Sequence, residues 1–393
     1  MRARNLPTWP YYADDEIAAV QRVLASGRVN YWTGDEGREF EREYADYAGV
    51  AHGVALANGS VALELALRAL DIKAGDEVIV TPRSFIASAS SIVICGATPV
   101  FADIDRDSQN ITATTIAPRI SGRTRAIILV HLAGWPCDMA PILKLAKQHD
   151  LSIIEDCAQA HGATYDRRPV GSFGDIGVFS FCQDKIITTG GEGGMLVTRS
   201  KALWEKAWSY KDHGKSHAAV YDPEPGQKGA FRWVHESFGS NFRMTEMQAA
   251  IGRIQLRKLE GWIEQRTRNA RVLIERLSEI PALRVPVPDK HLRHAYYKLY
   301  AFLNPELLRP GWDRDRVISA VNELGAPCFG GSCSEVYREK AFVNSPFRQD
   351  TGLPVAGALG DTSLMFPVHP TLTTADMART ARVVEQVMQQ AQA

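Results

Sequence analysis

Short apolar runs alternate with amphipathic stretches through the first half of the 393-residue chain. GVALA (53–57) precedes SVALELALRALD, DEVIV (76–80) precedes SFIASASSIVICG, and AIILVHL (126–132) precedes MAPILKLAKQHD; LSIIED (151–156) follows. Runs that are apolar on both faces, with helices between them, predict parallel strands covered on both sides. The expected fold is therefore α/β, a large doubly wound and mostly parallel sheet. DIGVFSF (175–181) and GGMLVT (193–198) predict two further strands. From Met244 the pattern turns helical through TEMQAAIGRIQLRKLEGWIEQRTRNARVLIERL, and after the proline-rich PALRVPVP (281–288) the run HAYYKLYAFL alternates like a strand. This change predicts an N-terminal arm and large α/β domain over residues 1–265 and a smaller C-terminal α+β domain over 266–393. Met247, Ile251 and Ile254 share one face of the long helix at i, i+4, i+7 spacing. Polar Asn241 and Arg243 stand just before it, a pattern that suits either a core helix or an interface between chains.

Composition narrows the function. Lys plus Arg and Asp plus Glu balance at 45 each, so no global charge points to nucleic acid or an anionic membrane. The six cysteines form no CxxC pair and have no histidine at zinc-ligand spacing, so reduced thiols, no metal site and a cytoplasmic location are expected. MRARNLPTWP lacks the apolar core of a signal peptide, and SFIASASSIVICGATPVF is broken by Gly96 and Pro99, which makes it a poor membrane span. Three short motifs fail. GKS (214–216) has Ser209 where a phosphate-binding loop needs glycine, DIDRDSQN (103–110) lacks the glycine and glutamate of a calcium loop, and no GxGxxG follows the first strand.

One constellation survives. Asp156 ends the run LSIIED, at the strand edge where open α/β sheets bind ligands. Lys185 follows the next clear strand, with Ser180 five residues before it. Upstream, Asn58, Gly59 and Ser60 begin a helix, which offers free backbone N–H groups, a hydroxyl and a favourable dipole to an anion. Singly, Ser60 is a helix cap, Asp156 a loop cap and Lys185 a surface cation. Together, in this chain order, they are the set that pyridoxal 5'-phosphate requires: an amine for the Schiff base, a carboxylate for the pyridine nitrogen and a phosphate cradle.

At these residues the chain resembles the DegT/DnrJ/EryC1/StrS sugar aminotransferases. The densest parts are EDCAQAHGATYDRRPVGSFGDIGVFSF (155–181), the Lys185 stretch with TTGGEGGM, and GSNFRMTEMQAAIG (239–252). The resemblance implies the aspartate aminotransferase (type I) fold. It also implies that Lys185 forms the Schiff base, Asp156 pairs with the pyridinium and Gln159 lies beside the ring. Ser180, Gly59 and Ser60 would hold the phosphate, and Phe85 would stack on the ring face. Asn241 would reach the cofactor phosphate of a neighbouring subunit, giving a homodimer with shared active sites. ANGS stands where the family commonly has SSGT, a change that keeps the hydroxyl.

The implied reaction moves an amino group from an amino acid, expected to be L-glutamate, to a nucleotide-linked keto sugar in amino-sugar or surface-polysaccharide biosynthesis. The alternatives are a sugar dehydratase, in whose relatives a histidine replaces the lysine, and a non-catalytic regulatory protein on the same fold. His161, Arg243 and Lys215 are ambiguous cations, His213 and His217 have no assigned role, and Tyr31 and Trp32 read as exposed loop aromatics that suit either a sugar nucleotide or burial in a dimer.

Overall fold

The computed structural model describes residues 6–222 and 233–393. Two helices, α1 (Asp14–Ser26) and α2 (Glu36–Ala48), lead into β1 (His52–Leu56) and α3 (Gly59–Ala69). There follow β2 (Glu77–Val80), α4 (Ala87–Ile94), β3 (Thr98–Phe101), α5 (Ala113–Ile116), β4 (Thr124–Val130), α6 (Met139–Gln148) and β5 (Ser152–Asp156). A short ribbon of β6 (Thr164–Tyr165) and β7 (Arg168–Pro169) precedes β8 (Ile176–Ser180) and β9 (Gly194–Thr198). After α7 (Lys201–Lys211) and α8 (His217–Tyr221) comes α9 (Glu246–Leu277), a helix of 32 residues.

Seven strands form the main sheet in the order β1-β9-β8-β5-β4-β2-β3. The pairs joining β3, β2, β4, β5 and β8 are parallel, as the apolar runs predict. β9 runs antiparallel to both β1 and β8. Strand β3, which no strand pattern marked, is only TPVF and lies at the edge, where Pro99 has no inner ladder to interrupt.

α9 begins with a capping box, the Thr245 hydroxyl and the Gln248 side chain each satisfying a backbone N–H at the helix start. The face bearing Met247 and Ile254 packs with Ala250 against Ala19 and Val23 of α1, and Ile251 is also buried. The apolar stripe that suited an interface is thus occupied within the chain by its own N-terminal helix. α9 runs unbroken across 265/266, so no structural break falls at that position.

Beyond it, β10 (Leu283–Arg284), β12 (Leu299–Leu303) and β13 (Ser363–Phe366) form an antiparallel sheet in that order, while β11 (Leu292–Arg293) pairs with β6. Alternation along β12 separates two cores. Leu299, Ala301 and Leu303 pack with the C-terminal helix Thr374–Ala391, whereas Tyr300 and Phe302 join the core around the large sheet. Burying each leucine side chain contributes roughly 1.5–3 kcal/mol to the C-terminal core. Among the described residues no helix is long and apolar enough to cross a membrane.

Candidate active site

A cavity of about 870 Å³ opens where β5 and β8 end and α3 begins. Its far wall comes from the C-terminal sheet and its loops, through Tyr297, Lys298, Tyr300, Phe329 and Ser332. Asp156, Lys185, Gln159, Ser180, Gly59, Ser60 and Phe85 all line it. The structure thus brings together every sequence-predicted site residue except Asn241, which is exposed and outside the cavity of its own chain.

Asp156 sits at the C-terminal end of β5, 4% exposed, with parallel partners on both sides. Its Oδ2 accepts from Ser88 Oγ at 2.7 Å and its Oδ1 from the Ala158 N–H at 3.1 Å. Burial raises its pKa, against those hydrogen bonds and the charge of Lys185. Lys185 occupies a turn after β8, its N–H bonded to the Cys182 carbonyl. Its own carbonyl accepts from the Trp9 indole N–H at 2.8 Å. The Trp9 ring in turn packs edge-on to Trp262, stacks on His369 and lies beneath the Arg266 guanidinium. The N-terminal arm therefore clamps the backbone of the lysine against α9 and the C-terminal segment.

The end of the cavity at the start of α3 is built by close approach. Asn58 caps α3 by accepting from the Val61 N–H, so the Gly59 and Ser60 amides begin the helix free of that bond. A Cβ on Gly59 would stand 2.7 Å from Ser180 Cβ, so only glycine lets the helix start meet β8 so closely. Gln159 is fixed by accepting the Ala133 N–H through Oε1 at 2.8 Å. Phe85 stands at the mouth, 68% exposed.

Behind these residues lies a buried polar layer that the sequence reading did not anticipate. Glu155 accepts from His131 Nε2 and from the Gly171, Phe173 and Gly174 N–H groups. Despite the cost of burial, these bonds hold its pKa below the usual carboxylate range. His131 Nδ1 accepts the Cys137 N–H, so Nε2 carries the proton that Glu155 receives. His131, Glu155 and Cys157 have their potential ligand atoms close together, but the carboxylate and imidazole are already committed to hydrogen bonds that pin the loop after Asp156. His161, an ambiguous cation in the sequence, is fully buried. It donates from Nε2 to the Ser180 carbonyl and accepts at Nδ1 from the Tyr44 hydroxyl, and burial lowers its pKa to about 3.

The remaining ambiguous residues lie off the cavity. Arg243 and Lys215 both pair with Asp212, at 2.8 and 3.0 Å. Tyr31 is not an exposed loop aromatic: it is 2% exposed, donates to Glu41, and has Lys211 Nζ 3.7 Å from its ring centre. Trp32 is half-buried under Lys215. Ser88, Tyr297 and Lys298 were missed as cavity residues. The lysine inside the otherwise apolar alternation of HAYYKLYAFL was the available signal for the last of them.

Pyridoxal phosphate fits this site. Asp156 is a buried carboxylate with no ion-pair partner among the described residues, and a protonated pyridine nitrogen would supply one. Gly59 and Ser180 form a cradle that any larger residue at 59 would fill. A type I α/β fold, a strand-end aspartate and a cavity lysine define a pyridoxal-phosphate-dependent aminotransferase. The chain belongs to the DegT/DnrJ/EryC1/StrS aminotransferase family, whose model matches residues 10–387. It is 36% identical to UDP-N-acetyl-3-dehydro-alpha-D-glucosamine 3-aminotransferase of Acidithiobacillus ferrooxidans, covering 95% of this chain and 94% of the other. It is 38% identical to GDP-perosamine synthase of Caulobacter vibrioides, over 91% and 92% of the two chains. The crystal structure of an aminotransferase from Psychrobacter cryohalolentis, 54% identical, superimposes with a TM-score of 0.95 over 97% of this chain and 98% of that one.

Proposed function

We propose that the protein transfers an amino group from L-glutamate to a ketone of a nucleotide-linked sugar, in amino-sugar biosynthesis. The observation that carries the reading is Lys185 and Asp156 facing one cavity beside a phosphate cradle, in a chain similar over nearly its full length to enzymes named for such sugars. The lysine at 185 favours amino transfer over dehydration, whose related enzymes carry histidine there.

When bound, pyridoxal phosphate supplies a carbonyl that accepts amines and a ring that withdraws electrons from the donor Cα. Lys185 would anchor it, and its amine, when free, would be the base that takes the donor Cα proton and gives a proton back to the product. Asp156, kept dry at the strand end, would hold the ring nitrogen protonated. Asn58, Gly59, Ser60 and Ser180 would bind the phosphate and Gln159 and Phe85 would flank the ring, while Ser88 and Ala158 orient Asp156. L-Glutamate alone is expected to convert the yellow holoenzyme to its amine-loaded spectrum, and a nucleotide keto sugar to restore it. A spectrum that no amino acid changes would refute the assignment.

A cytoplasmic homodimer with shared sites completes the proposal. Asn241 is exposed, and Phe238 and Trp233, three and eight residues before it in the chain, are 100% and 90% exposed, apolar side chains that a partner chain could cover. Mixing inactive Lys185→Ala with an Asn241→Ala variant impaired in cofactor binding is expected to restore part of the activity, because a mixed dimer has one site free of both lesions. No recovery after proven subunit exchange would rule out the shared site.

A further inference from the structure

Lys298 lines the same cavity as Lys185. Among the described residues lining that cavity, these two lysines are the only side-chain cations. Both lie near one ring: Lys185 Nζ is 5.1 Å and Lys298 Nζ 4.9 Å from the centre of Tyr297. The two ammoniums are therefore no more than 10 Å apart. The Tyr297 hydroxyl donates to Asp184 on the cavity wall.

Lys298 is also held rigidly. It immediately precedes β12, the central strand of its sheet. Arg266 donates to the carbonyls of Tyr296 and Tyr297 just before it. The alternation that sends Leu299 and Ala301 into the C-terminal core turns Lys298 and Tyr300 the other way, onto the cavity. A side chain whose backbone is fixed at the start of a strand is placed more accurately than one in a free loop.

Its ammonium makes no hydrogen bond and no ion pair with any described residue. Burial lowers its pKa, opposed by Asp184 and reinforced by Arg266 and Lys185. A partly buried ammonium without a partner is costly, and an incoming anion removes that cost. An amino-acid donor brings one, since its carboxylate stays charged while its Cα reacts. Lys185 is occupied with the cofactor and the proton, and Asp156, Asp184 and Glu192 on the cavity wall repel a carboxylate.

We infer that Lys298 is the carboxylate-binding residue of the cavity and seats a carboxylate of the amino donor. This assignment rests on the donor half of the reaction proposed above. It gives the lysine a part in donor selection, with no part in moving the proton.

The test compares wild-type holoenzyme with Lys298→Met, which keeps the length and removes the charge, and with Lys298→Arg. Glutarate, an unreactive five-carbon dicarboxylate, is titrated by calorimetry, and the donor and ketone half-reactions are followed separately by absorbance. Lys298→Met is expected to load cofactor normally and to bind glutarate at least about 10-fold more weakly, the low end for a hydrogen bond to a charged group. The L-glutamate concentration for half-conversion should rise by a similar factor, the ketone half-reaction should stand, and Lys298→Arg should recover most of the loss. Equal glutarate binding in wild type and Lys298→Met overturns the inference. So does a defect confined to the ketone half-reaction, which would give the ammonium to an acidic group on the acceptor. Charge-dependent glutarate binding in a wild type inert to every amino acid would support the carboxylate site while faulting the proposed transfer.

Discussion

Lys185→Ala should retain the fold and the binding of pyridoxamine phosphate and lose essentially all turnover. The backbone of residue 185 is held through its N–H to Cys182 and its carbonyl to Trp9, bonds that alanine preserves. The cradle at Gly59, Ser60 and Ser180 does not involve the lysine side chain. What disappears is the anchoring amine and the base in one change. A positioned acid–base group alone is worth about 10²- to 10⁴-fold. Steady-state rates, with borohydride trapping and peptide mapping on the wild type, check the assignment. Turnover within tenfold of normal, or a trapped label on another lysine, would contradict it.

Asp156→Asn is the second large effect. The variant should bind cofactor but turn over at least ~100-fold more slowly, the lower bound for a positioned catalytic group. The local network tolerates the amide. Ser88 Oγ can accept from the new N–H and donate instead to Ser84 Oγ, 2.9 Å away, while the remaining oxygen keeps the Ala158 bond. The loss is electrostatic: an amide offers no negative charge to keep a pyridine nitrogen protonated inside a dry site. Near-normal turnover with an unchanged cofactor spectrum would show that another group holds that proton.

Much of this architecture was legible because parallel strands buried on both faces leave continuous apolar runs. β1, β2, β4, β5, β8 and β9 all announce themselves this way. β3 did not, since four residues containing Pro99 carry too short a pattern. The antiparallel direction of β9 was equally invisible, because its composition matches that of its parallel neighbours and direction is set by pairing across the sheet. At the site, Asp156 and Lys185 stood out because strand ends are marked by the change from apolar to polar residues. Ser88 and Lys298 are brought in from α4 and the C-terminal sheet, and distance along the chain hides such convergence. Tyr31 misled for a related reason. NYWTGDEG has the composition of a surface loop, but its ring is drawn under a buried Lys211–Glu41 pair that no local pattern encodes.

The clamp formed by Trp9 bears on how the protein is prepared. One indole N–H ties the amino-terminal arm to the carbonyl of the reactive lysine, and its ring shields Arg266 and His369. An affinity tag that pulls on this arm, or a protease that clips it past Trp9, would leave every residue lining the cavity chemically intact. Such a sample would still pass a gel and still bind cofactor, yet hold its lysine slack. Batches that differ in specific activity at equal yellow colour should be checked first by intact mass at the amino terminus.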